Sequence, residues 1–513
     1  MEHFDVLIIG AGLSGIGGGA HLRMECTEKT FAILEGRGDM GGTWDLFRYP
    51  GIRSDSDMFT LGYSFRPWRD PKAIADGPSI LNYIRDTSRE FDLDKEIRYG
   101  HRVKRAEWSS ENAIWTVEAE VERSESPLQR AATLGEDTSG SNEGRLKAEL
   151  KTAVFTCNFI YLCTGYYEYE EGYTPDWPGF GDYAGTVTHP QKWPEDLEYA
   201  GKNVLVIGSG ATAVTLVPAM AETAAHVTML QRSPTYVVTM PSRDKIADTF
   251  RRLLPEKAAY VLSRWKNIVR QAIFYEGSKR YPDFMKRLIA KGVHKELADE
   301  NLERHFEPTY KPWDQRVCVV PDSDMFEALR AGTASIVTGN IETFTKTGVR
   351  LENGETLDAD IIITATGLKL KIMAGLELFV DGEKVDLSSK MAYKGMMYSD
   401  VPNLAQAFGY TNASWTLKCD LTSEYVCRLI KYMDEHGFAS CTPRDNDPTV
   451  VRMPVLDFNS GYVLRALDEL PSQGSKHPWR LHQNYFRDLS MLRYARLDDG
   501  TVEFRSAQKP ANN

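Results

Sequence analysis

The stretch Phe4-Asp-Val-Leu-Ile-Ile9-Gly10-Ala-Gly12-Leu-Ser14-Gly15 decides the fold. A continuous apolar run closed by glycine reads as a strand buried on both faces. The glycines follow in the pattern G-x-G-x-x-G, and Ile16 to Leu22 then opens a helix with small residues. The first glycine permits a tight turn, the second lets the backbone approach a pyrophosphate, and the third lets helix and strand pack closely. The N–H groups of the helix start then face the phosphates. A second apolar run, Phe31-Ala-Ile-Leu34, ends at Glu35, twenty residues after Gly15, where an acid would hold ribose hydroxyls. The segment predicts a dinucleotide-binding βαβ unit.

The pattern recurs further on. Asn203-Val-Leu-Val-Ile207 reads as a strand, Gly208-Ser209-Gly210-Ala211-Thr212-Ala213 as the same turn with alanine in the third place, and Val227-Thr-Met-Leu230 as the next strand. That strand runs into Gln231-Arg232-Ser233 where the first unit has Glu35. A guanidinium in place of a carboxylate suits a 2′-phosphate, so the second unit is expected to prefer NADPH to NADH. FAD held permanently beside a visiting NADPH is the simplest pairing of the two.

Thr152 to Leu162 and Asp360 to Thr364 are both strand-like and run into the glycine turns Cys163-Thr-Gly165 and Ala365-Thr-Gly367. They read as crossings between two units, one inserted in the other. The expected fold class is therefore α/β, with two nested Rossmann-like dinucleotide-binding domains and a helical insertion. Residues 1–165 would be the first part of an FAD-binding domain. Residues 166–367 would be the NADPH-binding domain, with the helical insertion at about 240–310, and 368–513 the second part of the FAD-binding domain. Residues 123–148, polar and Gly/Ser-rich, read as a mobile hairpin extension without function.

Composition sets the outer bounds. A length of 513 residues gives a prior of about three packing units, and 42% hydrophobic with 26% charged residues is ordinary for a globular chain. The net charge of −11 argues against nucleic acid as the main partner. No stretch approaches the length of apolar sequence that spans a bilayer. The N-terminus carries Glu2 and Asp5 and lacks a basic leader region, so a cytoplasmic location is expected. The seven cysteines form no C-x-x-C, and the ten histidines have no zinc-ligand spacing. Reduced, mostly buried thiols and no metal are expected. No cysteine lies between Cys26 and Cys157, which disfavours a disulfide reductase. Residues 251–292 hold 11 basic residues against 3 acidic ones. A solvated helix face is the plain reading, with attraction of NADPH phosphates or weak peripheral contact with anionic lipid as the others.

Two further stretches are specific. Gly41-Gly42-Thr43-Trp44-Asp45-Leu46-Phe-Arg-Tyr49-Pro50-Gly51-Ile-Arg53-Ser54-Asp55 resembles the second fingerprint of the Baeyer–Villiger monooxygenases. Tyr183-Ala-Gly185-Thr-Val-Thr-His189-Pro-Gln-Lys-Trp193-Pro194 resembles their linker fingerprint, whose Trp-Pro ending sets them apart from N- and S-oxidising flavin monooxygenases. The family usually has Phe where this chain has Tyr183. Longer stretches, such as Gly208–Tyr236 and Pro312–Pro321, are similar to the ethionamide-activating branch of that family.

The resemblance implies residue roles. FAD would lie along Gly10, Gly12, Ser14 and Gly15, on Glu35, on Thr43, Trp44, Asp45 and Leu46, at Asp55, and on the backbone of Val103. NADPH would lie on Gly208, Ser209, Gly210, Ala211, Thr212 and Ala213 and on Gln231 and Arg232, with Arg53, Ser54 and Asp55 near its nicotinamide end. The family's active-site arginine maps onto Arg316. Many relatives have Lys just before it; Gln315 stands here, which puts more of the NADPH preference on Arg232. Arg316, Asp55 and His189 make up the expected catalytic set, with a linker hinge as the other role for His189. Trp415 would be a pocket wall or a core residue.

The implied activity takes a ketone, NADPH and O2 and gives an ester or lactone through a flavin peroxide. Sulfides or thioamides would be alternative substrates for S-oxidation. A fixed guanidinium suits this chemistry because its charge persists at any working pH while oxygen becomes anionic. Asp55 would orient it through a charge-assisted hydrogen bond. The rivals are a flavin monooxygenase devoted to N- or S-oxidation and a non-catalytic NADPH redox sensor.

Overall fold

The protein is described by a computed structural model over residues 1–121, 151–455 and 461–506. The extension expected at 123–148 lies outside those residues. β1 (Glu2–Ile9) has no polar side chain after Asp5 to turn outward, and it sits inside a sheet with Val6, Leu7 and Ile8 fully buried. α1 (Leu13–Glu25) leaves from the glycine turn, and β2 (Phe31–Leu34) returns parallel to β1. β3 (Ile97–Arg98) extends that side. On the other side, β4 (His101–Ser109) and β5 (Ile114–Val121) run antiparallel, and the long β6 (Lys151–Leu162) joins them to β1. Its first half pairs antiparallel with β5, while Phe155 to Leu162 pair parallel with β1.

The chain then crosses over. β7 (Tyr167–Gly172) leads through the linker to β8 (Thr186–Thr188), followed by β9 (Asn203–Ile207), α2 (Ala211–Ala221), β10 (His226–Gln231) and β11 (Val237–Met240). α3 (Lys245–Leu253), α4 (Glu256–Arg280) and α5 (Pro282–Leu297) form the expected helical insertion. β12 (Cys318–Pro321) closes it by pairing parallel with β11. β13 (Ala334–Thr338) and β14 (Ile361–Thr364) complete an all-parallel sheet of order β13-β10-β9-β14-β8. β15 (Leu368–Leu370) is the return crossing and pairs antiparallel with β7. β16 (Glu377–Val380) and β17 (Leu404–Gln406) rejoin the first sheet, which reaches nine strands, and α6 (Trp415–His436) follows. The architecture is the nested α/β arrangement with a helical insertion that the two fingerprints predict.

Small residues decide the turns. A Cβ on Gly15 would stand 1.8 Å from the carbonyl oxygen of Gly10, so α1 can approach the end of β1 only at glycine. In the linker, the Tyr183 hydroxyl donates to the carbonyl of Ala359 at 2.8 Å. The hydroxyl added relative to Phe is thus paired and ties the linker to the second unit. All seven cysteines are buried and free.

The insertion is bolted to the first unit by polar contacts. The buried Arg264 of α4 donates to the carbonyls of Phe59 at 2.9 Å and Gly62 at 2.7 Å, and its other amine lies 3.2 Å from the Asp420 carboxylate on α6. The same carboxylate lies 3.5 Å from Nε2 of His21 on α1, whose Nδ1 is 3.2 Å from Glu25. Burial works against a charged imidazole here, yet Asp420 and Glu25 raise the His21 pKa to about 9.

Two outcomes follow for stability. His21 binds its proton more tightly folded than unfolded, so its contribution is complete below the ordinary value of 6.5 and is lost as pH rises through about 9. Denaturant titrations of the wild type and His21→Gln should therefore differ most below that window, and the gap should narrow across it. An equal gap on both sides would refute the raised pKa. Gly15→Ala should lose about 3 kcal/mol through overpacking in the same assay. Gly38→Ala, where a Cβ meets nothing within 4 Å, should change stability by less than about 0.5 kcal/mol.

Candidate active site

The two glycine turns place the starts of α1 and α2 on either side of one cleft. Their N-caps, Gly12 and Gly210, supply no side-chain cap, so the first N–H groups of both helices are left for a ligand. Gly12, Ser14, Gly42, Thr43 and Trp44 line the cleft from the first unit, and Ala211, Thr212 and Thr215 line it from the second. A narrower cavity shares Gly12, Gly42, Cys163, Tyr167 and Tyr169 with it and runs on past Gly10, Glu35 and Val103.

Glu35 sits at the end of β2, nearly buried. Its Oε2 accepts the Ala11 N–H at 2.8 Å and its Oε1 the Arg37 N–H at 2.9 Å. Burial pushes its carboxyl pKa up, against these two N–H groups. Each oxygen keeps a further lone pair for a ribose hydroxyl. Glycines that leave backbone bare, uncapped helix starts and an acid at the second strand end form a donor and acceptor set that fits an adenine dinucleotide. Trp415 is a cleft wall: its indole donates to the Ser14 hydroxyl at 2.8 Å and stacks on Tyr166.

At the far end of the cleft Asp55 and Arg316 meet, 3.0 Å apart and both part-exposed. They come from opposite units, 261 positions apart. The loop of Asp55 is held by the Ser54 hydroxyl, which donates to Ser56 O at 2.7 Å, and by an Arg53–Asp324 ion pair. Asp55, Ser56, Arg316, Val319, Thr411 and Ala413 also line a side cavity of about 280 Å3 that opens off the cleft. Phe274, Trp313, Val238, Val317 and Met240 make most of its wall apolar. The central cleft is of similar size, roughly 270 Å3.

Several expected residues are placed differently. The Gln231 side chain is buried and turned inward, donating to His305 O at 2.8 Å and Thr338 Oγ1 at 2.9 Å. Its amide ties the end of the insertion to the sheet, and the next residue, Arg232, is exposed. His189 stands in the linker and lines none of the cavities described above. Its Nε2 donates to Gly367 O at 3.1 Å and its Nδ1 accepts the Gln191 N–H at 3.2 Å, which braces the linker against the return crossing. Burial lowers its pKa, so the ring is neutral there. Asp45 and Leu46 do not line the cleft either. The buried Asp45 carboxylate is paired with Arg37, and Leu46 packs on the second core.

Within the second turn, Gly208 has a φ of +137° and the Ser209 hydroxyl bonds Thr235 at 2.7 Å, while Ala213 is fully buried. Tyr49, Tyr167, Tyr169 and Arg37 line the cavities without having been singled out. Tyr49 falls within the Gly41–Asp55 motif, whereas Tyr167 and Tyr169 lie just past the crossing turn at Gly165 and Arg37 carries no signal beyond its place after Glu35.

A family model of flavin-binding monooxygenase-like proteins matches residues 135–401. The FAD-containing monooxygenase EthA of Mycobacterium tuberculosis is 50% identical over 512 residues, spanning 99% of both chains. In structure, the chain is similar to an oxidised steroid monooxygenase bound to NADP, with a TM-score of 0.72 at 20% identity over 98% of this chain and 100% of that one. It is also similar to OTEMO in complex with FAD and NADP, with a TM-score of 0.66 at 22% identity over 86% and 88%. Likeness at that identity speaks for the fold. Identity in half of all positions from end to end speaks for descent: the chain belongs to the flavin-binding monooxygenase-like family.

Proposed function

We propose that this chain is an FAD- and NADPH-dependent Baeyer–Villiger monooxygenase, which inserts one atom of O2 beside a ketone carbonyl to give an ester or lactone. The observation that carries the reading is the Arg316–Asp55 pair, set where the cleft between the two glycine turns meets an apolar side cavity. FAD would lie along Gly10, Gly12, Ser14, Gly15 and Glu35 and under Thr43 and Trp44, in a domain made of residues 1–165 and 368–513. NADPH would lie on the turn Gly208 to Ala213, with Arg232 on its 2′-phosphate, in a domain of residues 166–367. The names of similar proteins, which carry FAD and NADP, favour the same pair of cofactors.

Bound FAD, once reduced by NADPH, supplies the activated oxygen. The chain's residues govern where charge can build. A ketone in the side cavity presents its carbonyl toward Arg316, whose guanidinium offers two parallel N–H donors to oxygen that becomes anionic. The Asp55 carboxylate lies 3.0 Å from one terminal nitrogen of that guanidinium and holds it by charge. The apolar wall keeps water from the reacting carbon and strengthens the ion pair. His189 acts at a distance, as a brace between linker and crossing rather than as a proton carrier.

Incubating the purified chain with NADPH, O2 and a panel of linear, cyclic and aryl ketones and aryl sulfides tests the reading. Ester or lactone carrying one added oxygen is the expected product. NADPH consumption that yields hydrogen peroxide or sulfoxide alone would overturn it. Arg316→Ala should lower ester formation by ~100- to 1000-fold, the usual loss of about 2.7–4 kcal/mol for one preorganised donor. Folding, bound FAD and flavin reduction should remain, and Arg316→Lys should rescue little because it lacks the planar fork. Near wild-type ester formation by Arg316→Ala would make the pair merely structural. Arg232→Ala should raise the KM for NADPH roughly 10- to 150-fold, the loss of a charge-assisted contact, while sparing that for NADH. An equal change for both coenzymes would remove Arg232 from the 2′-phosphate.

A further inference from the structure

α4 carries apolar side chains on both of its faces. Its buried stripe holds Ala259, Tyr260, Ser263, Arg264, Asn267 and Ile268, and its solvent stripe carries Val261, Leu262, Trp265, Val269 and Ile273. These five fall on one face of a 3.6-residue repeat and run about 18 Å along the axis. Val261 is 47% exposed and Ile273 68% exposed. The helix cannot roll to hide them. Arg264 is locked to the carbonyls of Phe59 and Gly62, and Asn267 donates to the buried Asp57 at 2.9 Å. The neighbouring helices add exposed Leu253 on α3 and exposed Phe284 and Leu288 on α5, and Trp265 packs edge to face with Tyr485 and near exposed Phe486. Soluble monomers rarely expose so much contiguous apolar surface without using it.

The charge around this face is opposite to that of the whole chain. Residues 251–292 hold 11 basic residues and 3 acidic ones in a chain of net charge −11. Arg252, Lys257, Arg280, Arg287 and Lys291 are exposed and take part in none of the ion pairs among the described residues. A second copy docked by twofold symmetry would set this positive patch against itself. An anionic bilayer answers both features, since its headgroups pair with the cations and its interfacial zone accepts the apolar stripe.

We propose that the helical insertion docks the outer face of α4 onto the surface of an anionic lipid bilayer. On the flank beside the stripe, Arg270, Gln271 and Phe274 of the same helix line the side cavity. Docking brings that cavity next to lipid and favours apolar carbonyl compounds that partition into membranes. This consequence for substrate rests on the oxygenation reading; the docking does not.

The test is vesicle flotation of the flavin-loaded full chain, which needs no turnover. Vesicles of equimolar phosphatidylcholine and phosphatidylglycerol should carry the protein, phosphatidylcholine alone should not, and high salt should release it. Each of Arg252→Ala and Lys257→Ala should weaken binding about fivefold, the worth of one cation near such a surface. Val261→Asp combined with Ile273→Asp should weaken it more than about tenfold while bound flavin and elution volume stay unchanged. Wild-type protein that ignores anionic vesicles, or binds neutral ones equally, overturns the proposal. So does undiminished binding by the Asp variant, or a wild-type dimer that this variant dissociates, since the face would then belong to a second copy.

Discussion

The chain passes between its two sheets twice, and the two passages are bonded to each other. β7 and β15 pair antiparallel just beyond Gly165 and Gly367, which turn with φ of +67° and +110°. Everything functional depends on this closure. Because exit and return share one short ribbon, the carboxyl ends of β1 and β9 are held toward a common cleft, the place where open α/β sheets bind ligands. His189 adds a third bond to the knot by donating to Gly367 O, so the linker cannot shift without disturbing the return crossing. The tyrosines of β7 then become cleft walls because the ribbon itself runs along the cleft.

How much of this was legible in the sequence follows from what each signal encodes. Glycine fingerprints report a steric fact that is local: Gly15 lies within van der Waals reach of Gly10, so both sheets, both turns and the nesting could be read directly. A side chain's partner is a different matter. Gln231 stands at a strand end where either a coenzyme or a protein carbonyl can take its amide, and the winner, His305, lies 74 positions away at the end of the insertion. Asp55 and Arg316 are joined across the two units, and no local pattern announces such a pair; family resemblance alone brought them together. The same limit hid the orientation of α4. Helical periodicity places its residues on faces, but the usual rule that apolar faces turn inward does not choose between two faces that both carry apolar side chains.

The reason that rule fails in α4 is energetic. A buried guanidinium is tolerated only when its donors are satisfied, and Arg264 finds two carbonyls and a carboxylate. Once those bonds form, turning the apolar stripe inward would strand Arg264 and Asn267 in solvent and leave the Asp420 and Asp57 carboxylates buried with fewer partners. Uncompensated buried charge costs more than a helix face gains by covering a few aliphatic side chains. Polar contacts thus set the roll of α4, and one apolar stripe of the helix is left outside.

That mode of attachment reaches the reacting groups. Asp57 is fully buried two residues after Asp55, and its carboxylate accepts from Asn267 at 2.9 Å, from Gln271 at 3.0 Å and from the Thr60 N–H at 3.1 Å. Two of those three donors belong to α4. The loop that aims Asp55 at Arg316 is therefore gripped from behind by the same helix whose flank walls the side cavity. Arg316 itself stands at the foot of β12, whose parallel pairing with β11 closes the insertion. Both members of the pair thus stand beside segments that the insertion holds. A 3.0 Å contact between residues 261 positions apart is in this way supported on the carboxylate side by α4 and on the guanidinium side by the strand that closes the insertion.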